Sequence, residues 1–92
     1  MTVRWTLTAW RDLESLHAYI SADKPDAAAG MVEQILDGIE ALERYPQMGR
    51  PGRLPGSREL VVRPYLVVYR LKRDVIELLA IIHGARRWPE SF

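Results

Sequence analysis

Hydrophobic residues recur at helical spacing through the first half of the chain and at strand alternation through its last third. Val3 to Leu7 alternates weakly and predicts one short strand. Thr8 then offers a helix N-cap, and Trp10, Leu13, Leu16, His17 and Ile20 follow at helical intervals, which predicts a first helix from Ala9 to Ala22. The segment Ser21-Ala22-Asp23-Lys24-Pro25 interrupts that pattern and starts the next, with Asp23 or Lys24 near the cap and Pro25 in the first turn. A second helix is predicted from Pro25 to Arg44, with Ala28, Val32, Ile35, Ile39 and Leu42 as its buried stripe and Glu33, Asp37 and Glu40 on a solvated face. Gly30 and Gly38 each cost about 1 kcal/mol relative to Ala inside a helix, so close approach of a neighbouring helix is expected at both.

The next twelve residues, Tyr45 to Gly56, read YPQMGRPGRLPG, with three Pro and three Gly. Such a stretch suits an ordered turn-rich loop and neither a helix nor a central strand. Three strand-like runs follow, Arg58 to Arg63, Tyr65 to Lys72 and Val75 to His83, rich in β-branched and aromatic residues and separated by gaps short enough for hairpins. In the second run Tyr65, Val67, Tyr69 and Leu71 share one face. The third run is apolar on both faces, Ile76, Leu78, Ala80 and Ile82 against Val75, Leu79 and Ile81, as expected of a central strand covered on both sides. The predicted class is therefore α+β in the order β-α-α-β-β-β, a helical hairpin packed on a small antiparallel-rich sheet.

With 92 residues and 48% hydrophobic composition, one domain spanning residues 1–92 with a real core is expected. There is no cysteine, which excludes disulfides and thiolate metal sites and suits a reducing cytoplasm. No run approaches the roughly 18 apolar residues of a membrane span, and Met1 to Trp10 lacks the pattern of a signal peptide, so a cytoplasmic protein without membrane contact is expected. No Gly-rich phosphate loop, metal ligand set or nucleophile triad is present, and neither cofactor nor metal is expected. The net charge of +1 hides an asymmetry: Met1 to Glu43 carries three bases against eight acids, a balance of −5, and Arg44 to Phe92 carries ten bases against four acids, a balance of +6. Eleven of the thirteen bases are Arg, the side chain suited to bidentate phosphate or carboxylate contacts. An anionic partner for the second half is one reading; the other is that these bases balance acids from the helices, with individual arginines paired to Glu59, Glu77 or Glu90.

The element order, taken with PQMGRPGR, SRELVV, YLVVYRL and IIHGARRWP, resembles the RelE/ParE superfamily of bacterial type II toxins, and most closely its ParE-like, plasmid-stabilisation branch. The resemblance covers essentially the whole chain. It implies a cognate antitoxin, usually with a ribbon-helix-helix DNA-binding domain, and one of two targets. RelE-type toxins cleave mRNA in the ribosomal A site with basic residues and often a terminal Tyr or His. On that pattern Arg86 matches a phosphate-stabilising Arg, and His83 is the candidate general acid/base. However, Leu66 stands where RelE proper has Arg, and Phe92 falls near the terminal Tyr, so two catalytic positions are apolar. ParE-type members inhibit DNA gyrase and need an exposed basic surface rather than a proton-transfer pair. Arg50, Arg53, Arg86, Arg87 and Trp88 are the candidates for it. Gyrase inhibition by a binding toxin is the favoured expectation, a ribosome-dependent mRNA endonuclease the runner-up, and a nontoxic partner-binding module the third.

Overall fold

A computed structural model of the chain describes residues 1–85. Five strands and two helices follow in the order β1 (Thr2–Trp5), α1 (Leu7–Ser21), α2 (Pro25–Arg44), β2 (Arg50–Pro51), β3 (Arg58–Val62), β4 (Tyr65–Lys72) and β5 (Val75–His83). They build one mixed sheet in the order β1-β5-β4-β3-β2. The pairs β2–β3, β3–β4 and β4–β5 are antiparallel, whereas β1 lies parallel to β5. The α+β class and the hairpin-on-sheet arrangement are as the sequence predicts. The turn-rich loop supplies an edge strand of two residues, which the sequence pattern does not announce.

The first helix starts two residues earlier than predicted, because Thr6 rather than Thr8 is the N-cap. Its Oγ1 accepts the Ala9 N–H at 3.2 Å and donates to the Leu78 carbonyl at 2.7 Å, and its own N–H donates to the same carbonyl at 3.2 Å. One residue thus caps the helix and joins it to β5, an arrangement Thr8 has no strand partner to match. Strand β1 consequently stops at Trp5. The buried side of α1 is Ala9, Leu13 and Leu16, with Ile20 partly buried. Trp10 and His17 are exposed; Trp10 meets Trp5 edge to face at 5.6 Å between ring centroids. Helix α2 has the predicted bounds and buries Ala28, Ile35, Ile39 and Leu42. Its glycines do not mark a helix crossing. Gly30 has no atom within 4 Å of an added Cβ, and at Gly38 the nearest atom is the Leu60 side chain of β3 at 3.0 Å.

On the sheet, Leu60, Tyr65, Val67, Tyr69, Ile76, Leu78 and Ile81 face the helices and form one core with them. Fully burying each large aliphatic side chain contributes about 1.5–3 kcal/mol. The strict alternation predicted for the third strand is broken. Tyr69 pairs with Leu78 and Val68 with Ala80, so Leu79 is an extra residue, a β-bulge. After it the faces exchange: Ile81 joins Ile76 and Leu78 under the helices, while Ala80 turns to the side that carries Val68 and Leu66. These three are also buried, so both faces of the sheet's middle are covered. The β4–β5 turn places Arg73 at φ 58°, and the β3–β4 turn carries a cis Arg63–Pro64 bond.

The loop after α2 is fixed by one phenol. Tyr69 is fully buried; its hydroxyl donates to the Pro46 carbonyl at 2.8 Å and accepts the Gly49 N–H at 2.9 Å. A Cβ at Gly49 would stand 2.6 Å from that oxygen, so only glycine fits. Burial pushes the Tyr69 pKa up, against the opposing pull of the Gly49 N–H and the Arg58 charge. Replacing Tyr69 with Phe strips both backbone groups of their partner at nearly constant volume. We expect Tyr69→Phe to lose about 1–3 kcal/mol of stability, read from the urea unfolding midpoint.

Candidate functional site

The strands carry two buried carboxylates on the face away from the helices, each held by arginines. Glu59 is 2% exposed. Its Oε1 accepts Arg50 Nε at 3.2 Å and Nη2 at 3.1 Å, and its Oε2 accepts the Arg53 backbone N–H at 2.9 Å. Arg58 reaches the same loop from the other face, donating Nη1 to the carbonyls of Gly49 at 2.6 Å and Gln47 at 3.3 Å. The Gly52–Ser57 turn closes the far end, with Gly52 N–H on the Ser57 carbonyl at 2.8 Å and the Ser57 hydroxyl on the Leu54 carbonyl at 2.7 Å. The segment PQMGRPGR is thus a folded loop, and the first role of Arg50 within it is to neutralise Glu59.

Glu77 is 3% exposed and sits between Arg4 and Arg70, its direct cross-strand neighbours on β1 and β4. Arg4 forms an ion pair with Oε2, and Arg70 Nε donates to Oε1 at 2.6 Å. Two guanidinium groups on one carboxylate leave one positive charge over. Their side chains are 61% and 46% exposed, and that of Arg50 is 56% exposed. Directly paired residues project to the same side. The helix-free face therefore presents Arg4, Arg70 and Arg50 from three strands around the buried Val68, Ala80 and Leu66.

Of the residues predicted from sequence, Arg50 belongs to this face and the Arg53 backbone braces it. Arg86, Arg87 and Trp88 lie outside the described residues, as does Phe92. Arg4 and Arg70 were not singled out from sequence. The signal that could have found Arg70 is a charged residue continuing the Leu66, Val68 alternation opposite a lone Glu77 in an apolar run. Arg4, more than seventy positions from Glu77, offers no local signal. Leu66, set by the resemblance against an Arg of RelE proper, is buried.

His83 stands apart from the arginines. It pairs with Tyr65 on the helix side, its ring edge to face with the Tyr65 ring at 5.4 Å, and its Nδ1 accepts the Ala85 N–H at 3.1 Å. A cleft there is lined by Asp12, Ser15, Tyr19, Tyr65 and His83. Asp12 Oδ2 accepts the Ile81 N–H at 2.9 Å, capping β5 beyond the end of β1. Burial raises the Asp12 pKa above the ordinary carboxylate range, partly offset by that hydrogen bond. Among the described residues there is no group of three His, Cys, Asp or Glu able to hold a metal ion, and no helix long and apolar enough to cross a membrane.

The sequence matches one family along nearly the whole chain. Residues 3–88 match the model for the ParE toxin of type II toxin–antitoxin systems, and the chain belongs to that family. It is 48% identical over 90 residues to the protein Y4kP of Sinorhizobium fredii, covering 96% of this chain and 93% of that one. To toxin RelE2 of Caulobacter vibrioides it is 31% identical over 84 residues, covering 91% and 96%. Among solved structures it is similar to a chain of the chromosomal ParDE TA system from P. aeruginosa, with a TM-score of 0.83, 27% identity, and coverage of 90% and 95%.

Two measurements test the site. Removing either Arg4 or Arg70 leaves Glu77 one partner, and each single Ala variant should cost no more than about 1 kcal/mol, as for a largely exposed ion pair. Removing both strands a buried carboxylate, and the double variant should lose about 3–5 kcal/mol, well beyond the sum of the singles in a denaturant-unfolding cycle. For Asp12 the folded pKa is raised above the unfolded one, so protonation favours the folded state and the wild type gains stability as pH falls through the folded pKa. Asp12→Asn should therefore melt above the wild type at pH 7, with the two melting curves converging as pH falls below the ordinary Asp range.

Proposed function

We propose that this toxin binds DNA gyrase through its helix-free, arginine-lined face and the tail that follows β5, and that a cognate antitoxin with a ribbon-helix-helix domain holds it inactive in the cytoplasm. The observation that carries this reading is the placement of cations: Arg4, Arg70 and Arg50 stand exposed on one face around buried apolar residues, and His83 lies on the other. Such a face suits electrostatic docking onto a large acidic or nucleic-acid-bearing target, since cations spread over three strands match a surface better than a reacting atom. Leu66 and Phe92, at positions where RelE proper carries catalytic groups, support binding over cleavage. Similarity to a ParDE toxin–antitoxin system supports the antitoxin. Arg53, Arg86, Arg87 and Trp88 extend the proposed target surface.

A ribosome-dependent mRNA endonuclease is the second reading. It is favoured by the acid/base groups Asp12, Tyr19, Tyr65 and His83 sharing one cleft, and by the similarity to toxin RelE2.

One preparation assayed for gyrase supercoiling and for cell-free translation separates the two. We expect loss of supercoiling with accumulation of cleaved DNA and intact mRNA; mRNA cut only on ribosomes would establish the nuclease, and inertness in both assays a nontoxic binding module. Arg86→Ala combined with Arg87→Ala should reduce growth inhibition at least tenfold. On this reading the melting temperature should move by only a few degrees, since an arginine that serves a target and not the core contributes within about 0.5 kcal/mol. Undiminished toxicity would remove the pair from the target surface.

A further inference from the structure

The cleft between α1 and the end of the β4–β5 hairpin is small, about 150 Å³, with Leu16 and Ile81 among its lining. Small-molecule sites run to roughly 300–1,000 Å³, so this one has room for a single side chain rather than a metabolite. Its chemistry is specific. Asp12 contributes a half-buried carboxylate with one oxygen on the Ile81 N–H, and among the described residues no cation pairs with it. Tyr65 and His83 form an aromatic wall, with Tyr19 on the exposed rim.

Three kinds of occupant can be compared by the cost of covering that carboxylate. An apolar side chain would bury a charge without a partner, which is strongly unfavourable. A phosphate would meet like charge. An arginine or lysine would pair with the open oxygen of Asp12 and lie against the faces of tyrosine rings, gaining both an ion pair in a partly dry setting and a cation–π contact.

We infer that this cleft anchors one arginine or lysine side chain of the antitoxin, held end-on by Asp12 and flanked by Tyr19 and Tyr65. The inference rests on the antitoxin reading above and adds to it a point of attachment and the chemistry recognised. Ile81 N–H is on Asp12 Oδ2, so the second oxygen is open to a charge-assisted hydrogen bond from the incoming cation. A methylene stem of either basic residue can run along Leu16 and the Tyr65 ring. The anchor sits beside the end of β5, where the chain leads into the segment that carries Arg86 and Arg87.

The test uses the full toxin chain and the antitoxin encoded beside it, with affinity read by calorimetry. Asp12→Asn keeps an acceptor for the Ile81 N–H and the shape of the cleft, and removes the charge. It should weaken the complex at least tenfold, while the free variant keeps its fold and melts no lower than the wild type. Each antitoxin Arg and Lys is then replaced by Gln in turn and measured against both toxin forms. One of these replacements should cost at least tenfold against the wild type and almost nothing against Asp12→Asn, the pattern of two groups that touch. Tyr19→Ala, at an exposed position, should weaken the complex at least threefold and serves as a second variant if Asp12→Asn does not fold. A tight complex indifferent to Asp12→Asn, or one in which no antitoxin cation couples to it, overturns the anchor and leaves the antitoxin reading standing. Failure of the wild type to bind the neighbouring protein at all overturns both.

Discussion

Strand β5 must satisfy hydrogen-bonding groups on two edges, and the rest of the structure follows from how the second edge is met. On one side β4 pairs along its length. On the other, β1 supplies four residues and stops at Trp5 opposite Leu78. From there the partners come from α1: Thr6 takes the Leu78 carbonyl and Asp12 the Ile81 N–H. The bulge at Leu79 falls at this handover. A buried backbone group without a partner is costly, so the helix is held in register with the strand by hydrogen bonds as well as by Leu13 and Leu16. The hairpin of α1 and α2 cannot slide on the sheet without releasing them. The same constraint opens the cleft at the strand's end and separates His83 from the arginine-lined face.

That arginine-lined face illustrates how the charge asymmetry of the chain is distributed in space. Acids gather on the helices and bases on the sheet, but the sheet's two acids, Glu59 and Glu77, are its best-buried charges. Each is neutralised where it stands, Glu59 by Arg50 and the Arg53 N–H, Glu77 by Arg4 and Arg70. Burying a carboxylate costs more than one exposed guanidinium returns, and two donors on each carboxylate reflect that balance. The arginines so placed bond a buried carboxylate through their guanidinium groups while about half or more of each side chain remains exposed. The same groups thus neutralise the sheet and remain open to solvent.

Much of this was legible in the chain. The helix stripe of α2, the strand bounds and the loop between them follow from period and turn chemistry, because each is decided by neighbours in sequence. The departures arise where a distant group decides. Thr6 outcompetes Thr8 as the cap because a carbonyl of β5 is within its reach. Trp10 fits the helical stripe yet stays half-exposed, since Trp5 and the short β1 offer only an edge to lean on. The exchange of faces at Leu79 is invisible in a run where every residue is apolar. Gly38 serves a strand side chain and not a helix. For the candidate site, Arg50 was legible and Arg4 was not, since its carboxylate partner is brought to it only by the parallel pairing of the chain's two ends.

That parallel pairing bears on the order in which the molecule can be made. Strand β1 leaves the ribosome well before β5, its strand partner among the described residues. Until residue 83 has emerged, Leu78 is not in place, Thr6 has no carbonyl to reach, and α1 lacks the contact that starts it at Leu7. The helical hairpin and the loop around Tyr69 can assemble on local contacts, but the β1–β5 pairing closes a long loop and waits until β5 has been made. The arginine-lined face, which draws on β1, β2 and β4, exists only after that step. Until β5 has emerged a translating ribosome therefore carries helices and an incomplete sheet, and the arginine-lined face is not yet assembled.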